Sequence, residues 1–206
     1  MITQQQYAEL IASHTKDFLD NQPRTDHSSN IEQYLEVEHN FNTLQQYKFL
    51  LALTAGGSVL DVGMGVGFSK IINPSTHTTN PPDIGPPGGF LHFQKYIGEV
   101  LNIESNFLNR NCTIHLPWIQ TKNQYDFVIL HRFLPWTGQT LDHKVFVNIF
   151  TDVLRVLKEC GKVFYTPISI LGLHTNEWKK IDTGMNTFEI TRQQLHDAIY
   201  NTNKIL

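Results

Sequence analysis

The chain has 206 residues, 40% of them apolar, and a formal net charge of -3. That length suits one domain with a full core, and the charge balance gives no basic footprint for nucleic acid. Two cysteines, Cys112 and Cys160, exclude a disulfide framework; no signal-peptide pattern or apolar run of bilayer length occurs, so a cytoplasmic protein with no membrane partner is expected.

Taken in order, the chain opens with helical periodicity. Tyr7, Leu10, Ile11, His14, Phe18 and Leu19 recur at the spacing of an amphipathic helix over residues 4–20. A polar turn with Pro23 follows. Ile31, Tyr34, Leu35 and Val37 then mark a second helical stretch, and Leu44, Tyr47, Phe49, Leu50, Leu51 and Leu53 a third that runs into Gly56-Gly57. The expected organisation is a single domain over 1–206, with an N-terminal helical region at 1–55 and an α/β core at 56–206.

Val59, Leu60 and Val62 supply the apolar, partly β-branched bulk of a buried strand, and Asp61 stands at its carboxyl end. Glycines at 63, 65 and 67 permit positive φ and leave no Cβ to block a ligand pressed against the backbone. A helix should start at Phe68 and stop at Asn73-Pro74. Ser75–Thr79 reads as the second strand. Asn80 to Gly89 holds four prolines and three glycines and reads as a rigid loop. Phe90–Ile103 reads as a helix, Asn106–Leu108 as a short third strand, and Phe127–Leu130 as a fourth strand covered on both faces. Asp142–Leu157 is helical by spacing, residues 168–187 look loop-rich, and Thr191–Tyr200 reads as a closing helix. Asn203–Leu206 could begin a sixth strand, so the C-terminal edge of the sheet looks shortened. An exposed edge is a liability, and a second copy of the chain pairing along it is one expectation.

Asp61-Val62-Gly63-Met64-Gly65-Val66-Gly67, preceded by Val59-Leu60, resembles the first motif of the class I S-adenosylmethionine-dependent methyltransferases, D/E-x-G-x-G-x-G. Two further segments stand in that family's order. Leu116-Pro117 precedes a polar loop and Tyr125-Asp126 before the fourth strand. Leu154-Arg155-Val156-Leu157-Lys158-Glu159-Cys160-Gly161-Lys162-Val163-Phe164-Tyr165 looks like the family's helix that stops at a left-handed glycine and opens the fifth strand. A nicotinamide or flavin fingerprint needs a third glycine where Phe68 stands, which argues against a reductase.

The resemblance covers roughly residues 45–170. It implies a Rossmann-like three-layer sandwich, a mostly parallel sheet with helices on both faces and an N-terminal helical cap over the site or over the sheet edge. It also implies S-adenosylmethionine as cofactor. On the family's pattern, Asp61, Gly63, Met64, Gly65 and Gly67 hold the amino acid end of that cofactor. The ribose hydroxyls fall to Asn80 or to Asp83. Asp83 carries the carboxylate that suits them and lies 22 residues after Asp61, near the spacing of about 20 for such an acid. Asn111 is the candidate at the adenine. His131, at the end of the fourth strand, is the candidate beside the cofactor and the candidate base, with His115 second.

No H-x-H, H-E-x-x-H or paired-carboxylate spacing points to a metal. The acceptor implied is a small or sugar-like molecule. No Asn-Pro-Pro-Tyr or Asp-Pro-Pro-Tyr follows the fourth strand, which argues against the amino group of a nucleobase or of glutamine. The alternative is a catalytically weak or inactive binding or scaffold protein of the same fold, to which the unsettled ribose residue and the short edge point.

Overall fold

The computed structural model describes residues 2–26, 28–63, 65–80, 87–103, 107–109, 122–132, 143–167 and 178–200. The N-terminal region folds as α1 (Gln4–Asn21), α2 (Ser28–Glu32), a 3-10 turn (Gln33–Leu35) and α3 (Val37–Ala52). Thr3 caps α1 through a capping box with Gln6, which satisfies two of the orphan donors of its first turn. The expected second helix is broken at Glu36, whose extended backbone lets the chain turn and start α3 at Val37. The core then runs β1 (Val59–Asp61), α4 (Phe68–Ile72), β2 (His77–Asn80), α5 (Phe90–Val100), β3 (Phe107–Asn109), β4 (Tyr125–His131), α6 (His143–Val156) and β5 (Leu157–Thr166). It closes with β6 (Lys179–Asp182), β7 (Asn186–Thr191) and α7 (Arg192–Tyr200).

Among the described residues, seven strands form one sheet in the order β3-β2-β1-β4-β5-β7-β6. The pairs from β3 to β5 are parallel; β7 is antiparallel to both β5 and β6. The order reverses between β1 and β4, and ligands of open α/β sheets bind beyond the carboxyl ends of the strands at such a switch point.

Side chains alternate across the sheet. Val59, Ile129 and Phe164 face α1, α3 and α5, where they pack with Ile11, Phe18, Leu44, Leu50 and Phe93. Leu60, Val128, Leu130 and Val163 face α6 and α7, with Phe150, Val153 and Leu195. The result is the expected three-layer sandwich. No helix of the described residues is long and apolar enough to cross a membrane.

Two expectations are corrected. The C-terminal edge is not shortened: β6 and β7 form an antiparallel hairpin that begins inside the stretch that reads as loop, because the buried positions of β7, Thr187 and Ile190, stand three apart and give no strand period in a strand of only six. The edge strand β6 is four residues long and carries exposed Lys179 and Lys180, a combination that blunts edge pairing. The hairpin therefore removes the reason for expecting a second copy at this edge. Residues 201–206 lie outside the described residues.

Gly161 is not a helix stop. The helix ends at Val156, and Gly161 lies inside β5 where its register against β4 slips: Tyr125 pairs with Leu157, yet Phe127 pairs with Lys162. A methyl group on Gly161 would sit 2.7 Å from Leu157 Cγ, so glycine is required there by packing.

Candidate active site

The site is built at the carboxyl ends of β1 and β4, which are neighbours in register, Asp61 beside Ile129. After Asp61 the backbone enters three left-handed positions, Gly63 at φ 76°, Gly65 at φ 60° and Gly67 at φ 82°. Side chains rarely adopt these angles. Val62 N–H donates to Ile129 O at 2.9 Å, so the turn leaves the sheet at a defined point. Gly67 caps α4, and a methyl group on it would lie 2.9 Å from Ile103 Cδ1. At Gly65 the space is open: among the described residues, a methyl group there would meet only the Tyr34 hydroxyl, at 3.4 Å.

Asp61 is fully buried. Ser69 Oγ, in the first turn of α4, donates to Oδ2. The Tyr47 hydroxyl, from α3, donates to Oδ1 at 3.4 Å. Burial pushes the carboxyl up to about 7 against the pull of both donors. Asp61 therefore ties the glycine turn to α3 and α4 and presents no open face to a ligand.

His131 ends β4 and is 6% exposed. Its ring meets Tyr47 edge to face at 4.9 Å between centroids. Nδ1 lies 3.3 Å from Thr166 Oγ1 at the end of β5, and Nε2 is buried with no hydrogen-bond partner among the described residues. Burial, with the nearby Arg132 guanidinium and His39 adding to it, lowers the imidazole to about 3, so the ring is neutral at pH 7. Arg132 follows with a left-handed backbone at φ 50°, its guanidinium 3.4 Å from His39 Nε2.

The N-terminal helices supply the cap over the glycine turn through Tyr34 and Tyr47. Tyr34 is packed against Phe68, Phe90 and Phe93, and burial raises its hydroxyl to about 12. Beside them, α3 and the β6–β7 turn border an open groove of about 380 Å³, lined by Asn42, Gln45, Gln46 and Phe49 and by residues 182–184. The hairpin places that turn at the carboxyl end of β5, the same end of the sheet as the glycines.

Of the expected site residues, the structure brings Asp61, Gly63, Gly65, Gly67 and His131 together. Asn80 holds the last position of β2, in register with Asn109. Met64, Asp83, Asn111 and His115 lie outside the described residues. Sequence reading missed Ser69, Tyr34, Tyr47 and Thr166. Ser69 was findable as the one hydroxyl in the turn after the glycines. The tyrosines were hidden in helical periodicity, where they read as core.

A sheet ordered 3-2-1-4-5 with an antiparallel hairpin at its edge, and an Asp-x-Gly-x-Gly-x-Gly turn at the end of β1, define a Rossmann-like fold of the class I methyltransferase type. No family model matches the sequence, and no curated protein matches it. Among solved structures, the chain is similar to phosphoethanolamine N-methyltransferase 1 of Haemonchus contortus in complex with phosphoethanolamine and S-adenosylhomocysteine. That match has 13% identity and a TM-score of 0.45, covering 88% of this chain and 38% of the other. It is also similar to TrmN from Thermus thermophilus, at 16% identity and a TM-score of 0.44 over 69% of this chain and 46% of that one. N-methyltransferase NodS from Bradyrhizobium japonicum matches at 14% identity and a TM-score of 0.42, over 60% and 67% of the two chains. The chain spans about half the length of several of the solved structures it matches.

Proposed function

We propose that this chain binds S-adenosylmethionine on the glycine turn and transfers its methyl group to a small or sugar-like acceptor. The observation that carries the reading is the row of left-handed glycines 63, 65 and 67, open at Gly65 among the described residues, beside an imidazole nitrogen that has no partner among those residues at the end of the neighbouring strand. The residues present fit the cofactor: a backbone without side chains admits an adenosyl amino acid closely, and a side chain at Gly65 would narrow that cradle.

In this reading Gly63, Met64, Gly65 and Gly67 hold the amino acid end, Asn80 or Asp83 meets the ribose, and Asn111 meets the adenine. Asp61 acts through the turn it fastens. When bound, the cofactor supplies a methyl group on a positively charged sulfur. Transfer from it asks the protein chiefly for alignment. His131 is suited to that: its ring is neutral at pH 7, and its Nε2, buried in this structure, would accept a hydrogen bond from an acceptor's O–H or N–H once a neighbouring side chain moves aside. With its proton affinity so low, the ring orients the acceptor better than it removes a proton.

Calorimetric titration with S-adenosylhomocysteine tests the reading. Saturable binding is expected, weakened in Gly65→Val. No heat at millimolar ligand sinks it. Binding without methyl transfer to any hydroxylated or amino acceptor returns the chain to the binding or scaffold class.

A further inference from the structure

We propose that Thr166, Thr187 and Thr183 are positioning residues that hold His131 as its Nδ1–H tautomer and leave the Nε2 lone pair bare. The three hydroxyls stand in a row across the carboxyl end of β5, the amino end of β7 and the β6–β7 turn. Nδ1 lies 3.3 Å from Thr166 Oγ1, which lies 2.9 Å from Thr187 Oγ1, which lies 2.6 Å from Thr183 Oγ1; Thr183 Oγ1 reaches Met185 O at 3.4 Å.

The proposed direction starts from the last member. Met185 O accepts Thr187 N–H at 2.9 Å and also faces Thr183 Oγ1 at 3.4 Å; a carbonyl oxygen can only accept, so in the proposed row Thr183 donates to it. Each hydroxyl has one proton to give. Thr183 then accepts from Thr187, Thr187 from Thr166 and Thr166 from His131, which places the proton of a neutral imidazole on Nδ1. A second observation agrees. Nε2 is buried without a partner among the described residues, and among buried backbone groups an orphaned N–H is rarer than an under-satisfied acceptor. Thr166 and Thr187 are almost wholly buried, 1% and 0% exposed, so no water competes for their protons.

The row matters for function on the reading above, in which Nε2 receives the acceptor's proton-bearing group; the other tautomer would present an N–H, which cannot accept that group's hydrogen bond. The tautomer itself is measured without cofactor or acceptor. Nitrogen-isotope labelling of the histidines, with long-range proton–nitrogen correlation, distinguishes the two forms, and the His131 signals are assigned by their loss in His131→Gln. The wild-type chain is expected to show a single pattern with Nδ1 protonated. Thr187→Val takes away the acceptor of Thr166, whose hydroxyl then donates back to Nδ1; the pattern is expected to change to Nε2–H. Thr187→Ser is expected to keep the wild-type pattern, which a purely volumetric role would not explain. Thr183→Ala cuts the row at the partly exposed turn and is expected to admit the second tautomer, should Thr187→Val not fold. An Nε2–H pattern in the wild type, or an unchanged pattern in folded Thr187→Val or Thr183→Ala, overturns the proposal. Absence of S-adenosylhomocysteine binding together with an Nδ1–H pattern would sink the methyltransferase reading and support this one. Methyl transfer by a chain with an Nε2–H pattern would do the reverse.

Discussion

Tyr47 touches two site residues at once: its ring meets His131 edge to face at 4.9 Å, and its hydroxyl donates to Asp61 Oδ1 at 3.4 Å. One residue of the N-terminal region thus braces the ends of β1 and β4 together. Removing the hydroxyl while keeping the ring separates the two contacts. Tyr47→Phe is expected to cost no more than about 1 kcal/mol, because the bond is long. Ser69→Ala is expected to cost more, about 1–3 kcal/mol, since it strips the shorter bond from a buried carboxyl. Urea denaturation midpoints rank the two; the opposite order would move the anchor of the turn from α4 to α3.

The pH dependence of stability divides between Asp61 and His131. Asp61 is raised from an ordinary 3.8 to about 7, so its contribution is fully present below pH 4 and is lost as pH rises through about 7. His131 is lowered from 6.5 to about 3, so its contribution is present above pH 6.5 and is lost as pH falls through about 3. Between pH 4 and pH 6.5 the two slopes oppose each other. Relative to the wild type, Asp61→Asn should gain stability with rising pH across that window, and His131→Asn should lose it. Unfolding free energies at several pH values check both signs; parallel curves for all three proteins would contradict the burial of these groups.

The glycine turn gives a graded prediction. Gly67→Ala places a methyl group 2.9 Å from Ile103 Cδ1 at φ 82°, whereas Gly65→Ala adds one at φ 60° with only the Tyr34 hydroxyl near, at 3.4 Å. The left-handed backbone alone costs roughly 1–2 kcal/mol in each. Gly67→Ala should therefore be the less stable variant by thermal melting. Equal melting temperatures would show that Ile103 yields without cost.

Gly161 is constrained differently. Its backbone is not left-handed, and the obstacle to a side chain is Leu157 at 2.7 Å. Gly161→Ala should destabilise by about 1–3 kcal/mol through overpacking. Adding Leu157→Ala should cost less in that background than alone, a coupling that a double-mutant cycle measures. Additive effects would mean the two positions do not meet.

The sequence alone determined the order of the elements from β1 to β5, the strand-turn-helix at Asp61 to Phe68, and the three-layer sandwich. These rest on local signals, hydrophobic period and glycine spacing, which need no partner to be read. It also brought His131 to the end of the fourth strand. It did not determine what Asp61 does, because a carboxylate at a strand end looks the same whether it faces a ligand or is enclosed by Ser69 and Tyr47. The hairpin of β6 and β7 was hidden because short, polar edge strands owe their shape to the neighbour they pair with. Gly161 was misread for a related reason: a glycine near the end of a helix signals a stop, and only the approach of Leu157 reveals that it answers to packing. Tertiary structure alone set the threonine row, since Thr166, Thr183 and Thr187 come from β5 and the β6–β7 hairpin and meet His131 only when the sheet has closed its edge.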